Sequence, residues 1–232
     1  MTAIKERPIL FSAPMVRAIL DGRKTVTRRP VKGLSTSFAV TTAADESPLN
    51  GVCWNVGGPI IHCPYGKPGD RLYVRETFNR TNPSGAEGVY YYRADGEFPK
   101  CIGGGKFTDA ESWKPSIHMP RVASRILLEI TDVRVERLQD ISEDQAKAEG
   151  CFFTDYGKAC FHSGKGVRDA AHCELPDSTH QQRNGWMWDE TTSHEQCLGS
   201  ARNAFGNLWQ TTGGDWAANP WVWVVEFKRV TP

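Results

Sequence analysis

The sequence has no apolar run of about 18 residues, the shortest stretch that crosses a bilayer as a helix. Its first eight residues include Lys5, Glu6 and Arg7 and lack the apolar stretch of a secretory signal. We therefore expect a cytoplasmic protein with no membrane partner.

The chain also has little excess charge of either sign. It contains 28 Lys and Arg against 27 Asp and Glu, a formal net charge of +1. A broad non-specific nucleic-acid surface requires a strong basic excess, so this balance disfavours that class. The first 40 residues differ, with eight cations against two acids. This segment is consistent either with a patch that faces a phosphate or carboxylate, or with a solvated basic face.

Closely spaced cysteine pairs are missing as well. The seven cysteines are odd in number and irregularly spaced, which argues against a disulfide framework. Structural zinc sites usually contain Cys-x-x-Cys or a similar pair. The segments that most resemble such a pair are Cys160-x-His162 and His194-x-x-Cys197. We expect reduced thiols, no metal and no cofactor.

The local patterns predict an α+β protein made mostly of strands. Apolar spacing and glycine predict a helix from Ser12 to Gly22. Ser142 with Gln145 forms a capping box for a second helix. A third helix is expected from residue 200 to 209, and strands at 9–11, 71–78, 88–94, 125–138 and 221–228. The sequence predicts a single domain, 1–232, with loop-rich insertions at about 30–67, 79–120 and 151–200.

Four segments stand out together: Gly22–Arg28, Gly69–Val74, Leu138–Gly150 and Trp223–Lys228. As a set, they resemble the ASCH family of the PUA-like superfamily. The first is similar to the matching run of the small bacterial enzymes of the family that deacetylate N4-acetylcytidine. The long form looks more like the members encoded by bacteriophages and prophages. The resemblance implies a mixed β-barrel with a few short helices, three insertions and a pocket for a nucleoside or nucleotide.

The resemblance also implies a catalytic set of Lys24, Thr27 and Glu149. A threonine hydroxyl is a weak nucleophile until a neighbouring base takes its proton. A lysine can be that base if burial or a nearby cation lowers its pKa. A carboxylate can orient the lysine or relay the proton to the leaving amine. The implied activity is therefore an amidohydrolase that removes an acyl group from a cytidine-type nucleoside.

This catalytic set imposes a condition on the backbone. In a regular strand Lys24 and Thr27 point to opposite faces, because the side-chain period is two. Both can enter one pocket only if the segment after Gly22 is turned or bulged.

Six further residues are candidates for contacts with the substrate. Asp70 follows a turn glycine and could instead stabilise the turn, and Arg75 with Glu76 could form an ion pair at the barrel mouth. The six substrate-contact candidates are Arg23, Arg28, Asp70, Tyr73, Arg75 and Glu76.

Two alternative functions remain open. One is binding of RNA or a modified base, with Tyr73, Trp54 and Trp113 as stacking candidates, and the other is cleavage of RNA.

Overall fold

The computed structural model describes residues 4–32, 52–53, 61–81, 89–96, 113–162 and 168–231. Trp54 and large parts of the first two expected insertions lie outside these ranges. The chain divides into two compact units, residues 1–140 with 219–232, and residues 141–218. The described part is a mixed α+β structure with more strands than helices.

The described α-helices and several of the described strands lie where the sequence patterns predict them. The strands are β1 (Glu6–Leu10), β2 (Val26–Pro30), β3 (Val52–Cys53), β4 (Ile61–His62), β5 (Arg71–Arg75), β6 (Phe78–Thr81), β7 (Val89–Tyr92), β8 (Leu127–Arg137), β9 (Phe152–Cys160), β10 (Arg168–Asp169), β11 (Gln181–Met187) and β12 (Trp221–Val230). The α-helices are α1 (Ala13–Leu20), α2 (Glu143–Ala148) and α3 (Ala201–Thr211).

Helix α1 links β1 to β2 and has the predicted boundaries. Ser12 occupies the N-cap position, and a proline lies in the first turn, where its missing N–H costs nothing. Met15, Val16 and Ile19 are buried on one face. Gly22 ends the helix at a φ of 74°, a left-handed conformation that glycine adopts without strain.

The first unit is built on a five-stranded sheet in the order β1-β5-β8-β12-β2. β1 and β5 are parallel, and the other three pairs are antiparallel. The register places Val133 of β8 opposite Val225 of β12, and both are fully buried. One face of the sheet thus forms the apolar core of this unit.

The five-stranded sheet is strongly curved. β1 and β2 are its two outer strands, and four strand spacings would separate them by about 19 Å in a flat sheet. Yet a guanidinium nitrogen of Arg29, on β2, donates a hydrogen bond to the carbonyl oxygen of Leu10, on β1, at 2.6 Å. A side chain therefore joins the two edges. Within the described strands, β1 and β2 form no backbone ladder, so the sheet is not a closed barrel.

The second unit contains more regular structure than its polar sequence indicated. A nine-residue strand, β9, pairs with β11 and β10 in a three-stranded sheet. The side chains of β9 alternate between half-buried and exposed, so no purely apolar face marks this strand in the sequence.

Helix α2 of the second unit begins as predicted. Ser142 and Gln145 form the reciprocal capping box. Glu143 accepts a hydrogen bond from the backbone N–H of Ala201 at 2.9 Å, which ties α2 to the first turn of α3. The longest described helix has 11 residues, and no described helix has the length and apolar character needed to cross a membrane.

Candidate functional site

Lys24 lies at a turn between α1 and β2. Its backbone N–H donates to the carbonyl oxygen of Ala18, in α1, at 2.9 Å. Its side chain is buried, with only 3% of the residue exposed, and Nζ donates to the carbonyl oxygen of Val26 at 2.8 Å. Lysine is rarely this buried unless it is paired, and the Val26 carbonyl is one partner of the ammonium.

The pairing of β2 with β12 explains why the Val26 carbonyl is available to Lys24. The backbone N–H of Phe227 donates to Thr25 at 2.9 Å, and Val26 is opposite Glu226. Hydrogen-bonded and non-hydrogen-bonded pairs alternate in an antiparallel ladder. The Val26 carbonyl therefore points away from β12, toward the outer edge of β2, where the lysine ammonium binds it.

Thr27 is buried on the core face of β2. It pairs with Val225, which in turn pairs with Val133, and directly paired residues share one face of a sheet. Only 3% of Thr27 is exposed. Arg29 is two residues further along and lies on the same face, because the side-chain period is two.

A single aromatic ring connects Lys24 to the face that carries Thr27. Nζ of Lys24 lies 5.6 Å from the ring centroid of Phe11, and the guanidinium carbon of Arg29 lies 5.3 Å from it. Both cations are within the range of a cation–π contact. Lys24 and Arg29 therefore both approach the same ring, Phe11. Lys24 precedes the regular ladder of β2, which begins at Val26, so the strict alternation of a strand does not apply to it.

Arg28 lies on the opposite face of β2 from Thr27. It pairs with Val224, which pairs with Arg134, so these three side chains share the second face of the sheet. The Arg28 side chain is fully buried and donates to Glu136 at 3.1 Å. Arg134 also bonds Glu136, at 2.5 Å. The register assigns Arg28 to an ion-pair network, whereas Arg29 shares the face of Thr27.

Two residues that the sequence did not single out border this site, Arg29 and Tyr65. Nε of Arg29 is buried and has no hydrogen-bond partner among the described atoms. Burial raises the pKa of Tyr65 above its ordinary value, although the nearby Arg29 guanidinium opposes this shift. The phenol is therefore protonated at neutral pH. The period of two, applied from Thr27, is the sequence signal that could have identified Arg29.

The carboxylate of Asp70 is hydrogen-bonded to other groups of the protein. It accepts hydrogen bonds from Arg7 at 2.8 Å and from the backbone N–H groups of Lys5 and Lys67, both at 3.3 Å. Burial alone would raise its pKa, but the hydrogen bonds together lower it below its ordinary value. These contacts account for its burial without a ligand.

Glu76 and Arg75 extend from the opposite end of β5, about 16 Å from Asp70 along the strand. Glu76 is fully buried and accepts two hydrogen bonds from Arg125, at 2.9 and 3.1 Å. Burial raises the pKa of Glu76, and Arg125 partly counteracts that shift. Arg75 donates to the carbonyl oxygens of Met119 and Ile117 rather than to Glu76.

The remaining candidates have partners near the protein surface. Arg23 pairs with Asp21, two residues away, at 2.9 Å, and both side chains are substantially exposed. Arg121 lies over the ring of Tyr73, at 5.3 Å from its centroid. Trp113 is half-buried.

Glu149 belongs to the second unit, where it is the C-cap residue of α2. Only 2% of its surface is exposed. Its backbone N–H donates to the carbonyl oxygen of Gln145 at 3.0 Å. The helix dipole disfavours a carboxylate at a helix C-terminus, so stabilisation of α2 does not explain why a glutamate occupies this position.

Comparison with models of protein families found no match to this chain. Searches of curated proteins and of solved structures also found none.

Proposed function

We propose that this protein is an amidohydrolase that removes an acyl group from an N-acylated cytidine-type nucleoside. The observation that carries the proposal is the burial of Lys24 and Thr27 three residues apart, with Lys24 and Arg29 in contact with the same ring, Phe11. Buried, specifically contacted ionisable groups cluster at functional sites.

The surroundings of the Lys24 side chain are compatible with a role as the base. A neutral lysine amine retains N–H groups, so it can keep its bond to the Val26 carbonyl while its lone pair accepts a proton. In the proposed first step, the Thr27 oxygen attacks the acyl carbon and its proton passes to Lys24. The carbon–nitrogen bond then breaks, and the leaving amine takes up that proton. Water hydrolyses the resulting threonine ester to release the carboxylic acid and the free threonine.

Attack on the acyl carbon creates an oxyanion, which requires a fixed donor. Arg29 is the best candidate, because Nε has no partner among the described atoms and the side chain shares the face of Thr27. The stack on Phe11 and the bond to Leu10 hold its guanidinium in place. We assign Arg29 the role of oxyanion donor.

For Glu149, in the second unit, relay of the proton to the leaving amine is what the resemblance alone implies. Its burial at a helix C-terminus supports a function other than stabilising that helix. A Glu149→Gln variant tests this role separately from the roles of Lys24 and Thr27.

The proposed fold is that of the PUA-like superfamily. The mixed sheet, with one parallel pair, supports it, as does the curvature that brings β1 and β2 within reach of one arginine. The order strand, helix, strand at the beginning of the chain is also consistent with it.

The test is release of cytidine from N4-acetylcytidine by the purified full chain, compared with a panel of other N-acylated nucleosides. Removal of a general base typically lowers the rate about 10²–10⁴-fold, so we expect a loss of this size in Lys24→Met. Thr27→Val removes the nucleophile and should lower the rate at least as much. The matched controls are Lys32→Met and Thr25→Val, whose native residues are exposed neighbours in the same segment.

Two results would contradict the proposal. One is no turnover of any acylated nucleoside by wild-type protein, combined with salt-sensitive binding of RNA, which favours a binding module. The other is turnover that falls equally in the Thr25 and Thr27 variants. Cleavage of labelled RNA that is lost with Lys24→Met would instead identify a ribonuclease.

A further inference from the structure

The end of the β9–β11 sheet holds four side chains that the sequence did not group. Cys160 ends β9, His162 lies in the turn that follows, and Cys173 follows a short helix at 170–172. His180 immediately precedes β11. One ligand atom from each of these four residues lies within 4.8 Å of all the others.

The register of β9 and β11 explains part of this arrangement. Gln181 pairs with Ala159, so the antiparallel ladder brings His180 alongside Cys160. The two residues are 20 positions apart in the chain. No short motif marks this pair, since the contact depends on the hairpin register.

The distances fit a single tetrahedral ion. A zinc ion with Zn–S of about 2.3 Å and Zn–N of about 2.05 Å places ligand sulfur and nitrogen about 3.6 Å apart. Nδ1 of His162 lies 3.6 Å from Sγ of Cys160 and 3.7 Å from Sγ of Cys173. Two imidazoles on such an ion have ring centroids about 5.2 Å apart, and those of His162 and His180 are 5.1 Å apart.

His180 gives an independent indication of a ligand. Only 8% of it is exposed, and neither of its ring nitrogens has a hydrogen-bond partner among the described atoms. Leaving a buried polar group unpaired costs about 1–3 kcal/mol, so a native structure rarely keeps one without reason. Coordination of a metal would satisfy a nitrogen of this ring.

We propose that Cys160, His162, Cys173 and His180 bind a structural Zn²⁺. Two thiolates and two neutral imidazoles compensate the charge of the ion and favour zinc in tetrahedral geometry. With four protein ligands, no position is left for a substrate, which separates a structural site from a catalytic one. The ion cross-links three segments of a unit that spans only residues 141–218, where metals commonly supplement a small core.

Metal analysis of the full chain, purified without a tag or chelator, tests the proposal. We expect one zinc ion per chain in wild-type protein and loss of most of it in Cys160→Ser and Cys173→Ser. Cys197→Ser is the matched control, because Cys197 is another half-buried thiol of the same unit outside the cluster. Lys24→Met should also keep its zinc, so failure of the amidohydrolase proposal would leave this one unaffected.

A second measurement uses wild-type protein alone, so it does not depend on the folding of any variant. Wild-type protein in which cobalt replaces zinc should show the intense visible bands of a tetrahedral site and a thiolate-to-cobalt charge-transfer band. The proposal would be overturned if wild-type protein, incubated with zinc and then dialysed, retained none of it. So would equal zinc retention by Cys160→Ser and Cys197→Ser, or a weak six-coordinate cobalt spectrum.

Discussion

Arg29 donates a hydrogen bond to the carbonyl oxygen of Leu10 at 2.6 Å, and this bond joins the two outer strands of the main sheet. The same guanidinium lies on the ring of Phe11, which also contacts Lys24. Arg29 therefore connects the curvature of the sheet to the surroundings of the proposed base.

Replacement of Arg29 by methionine should weaken the connection between β1 and β2. The change removes a charged hydrogen bond and a cation–π contact, so we expect a loss of about 1–2 kcal/mol in the free energy of unfolding, measured by urea denaturation. Arg23→Met is the control, because its pair with Asp21 is exposed and such pairs contribute little. Equal losses in the two variants would show that Arg29 does not fasten the two edges.

The same Arg29→Met variant should lower kcat for the acylated nucleoside about 10²–10³-fold, as expected when one oxyanion donor is removed. Kinetics should be measured well below the unfolding transition. A change in KM alone, with kcat preserved, would mean that Arg29 binds substrate without stabilising the transition state.

Asp70 should make stability depend on pH in the acid range. Its hydrogen bonds lower the pKa in the folded protein, so its contribution is fully present above the unfolded value of about 3.9. That contribution is lost as the pH falls through the folded pKa. The unfolding free-energy difference between wild type and Asp70→Asn, followed from pH 7 downward, should therefore shrink. A difference that is constant across this range would contradict the assignment.

Glu76 and Arg125 should show strong energetic coupling. Arg125→Ala leaves a fully buried carboxylate without its cation, and breaking a buried pair in this way costs about 3 kcal/mol. Adding Glu76→Gln should restore part of that loss, because the uncompensated charge is removed. Urea denaturation of the two single variants and the double variant measures the coupling. Arg121→Ala, which breaks an exposed pair with Glu6, provides the control.

Local patterns predicted most of the helices and strands. The ends of α1 follow from Ser12 and Gly22, and the beginning of α2 follows from the capping box of Ser142 and Gln145. These features depend on residues within a few positions of each other. Local spacing contains enough information to locate them.

Features that depend on long-range register were not predictable in the same way. The period of two places Arg29 on the face of Thr27, but only the pairing of β2 with β12 shows that this is the core face of the sheet. The approach of Cys160 to His180 requires the pairing of β9 with β11. Neither pairing can be predicted from local composition. Because β9 has mixed polarity, the sequence did not predict this strand at all.

The most direct test of the proposed function is identification of the acylated residue. Wild-type protein and Thr27→Val would be mixed with N4-acetylcytidine, quenched in acid within the first turnover and mapped by peptide mass spectrometry. We expect one acetyl group on Thr27 in the wild-type protein and none at that position in the variant. Turnover without any acetylated Thr27 peptide, or an acetyl group on Lys24 that persists in Thr27→Val, would contradict nucleophilic attack by Thr27.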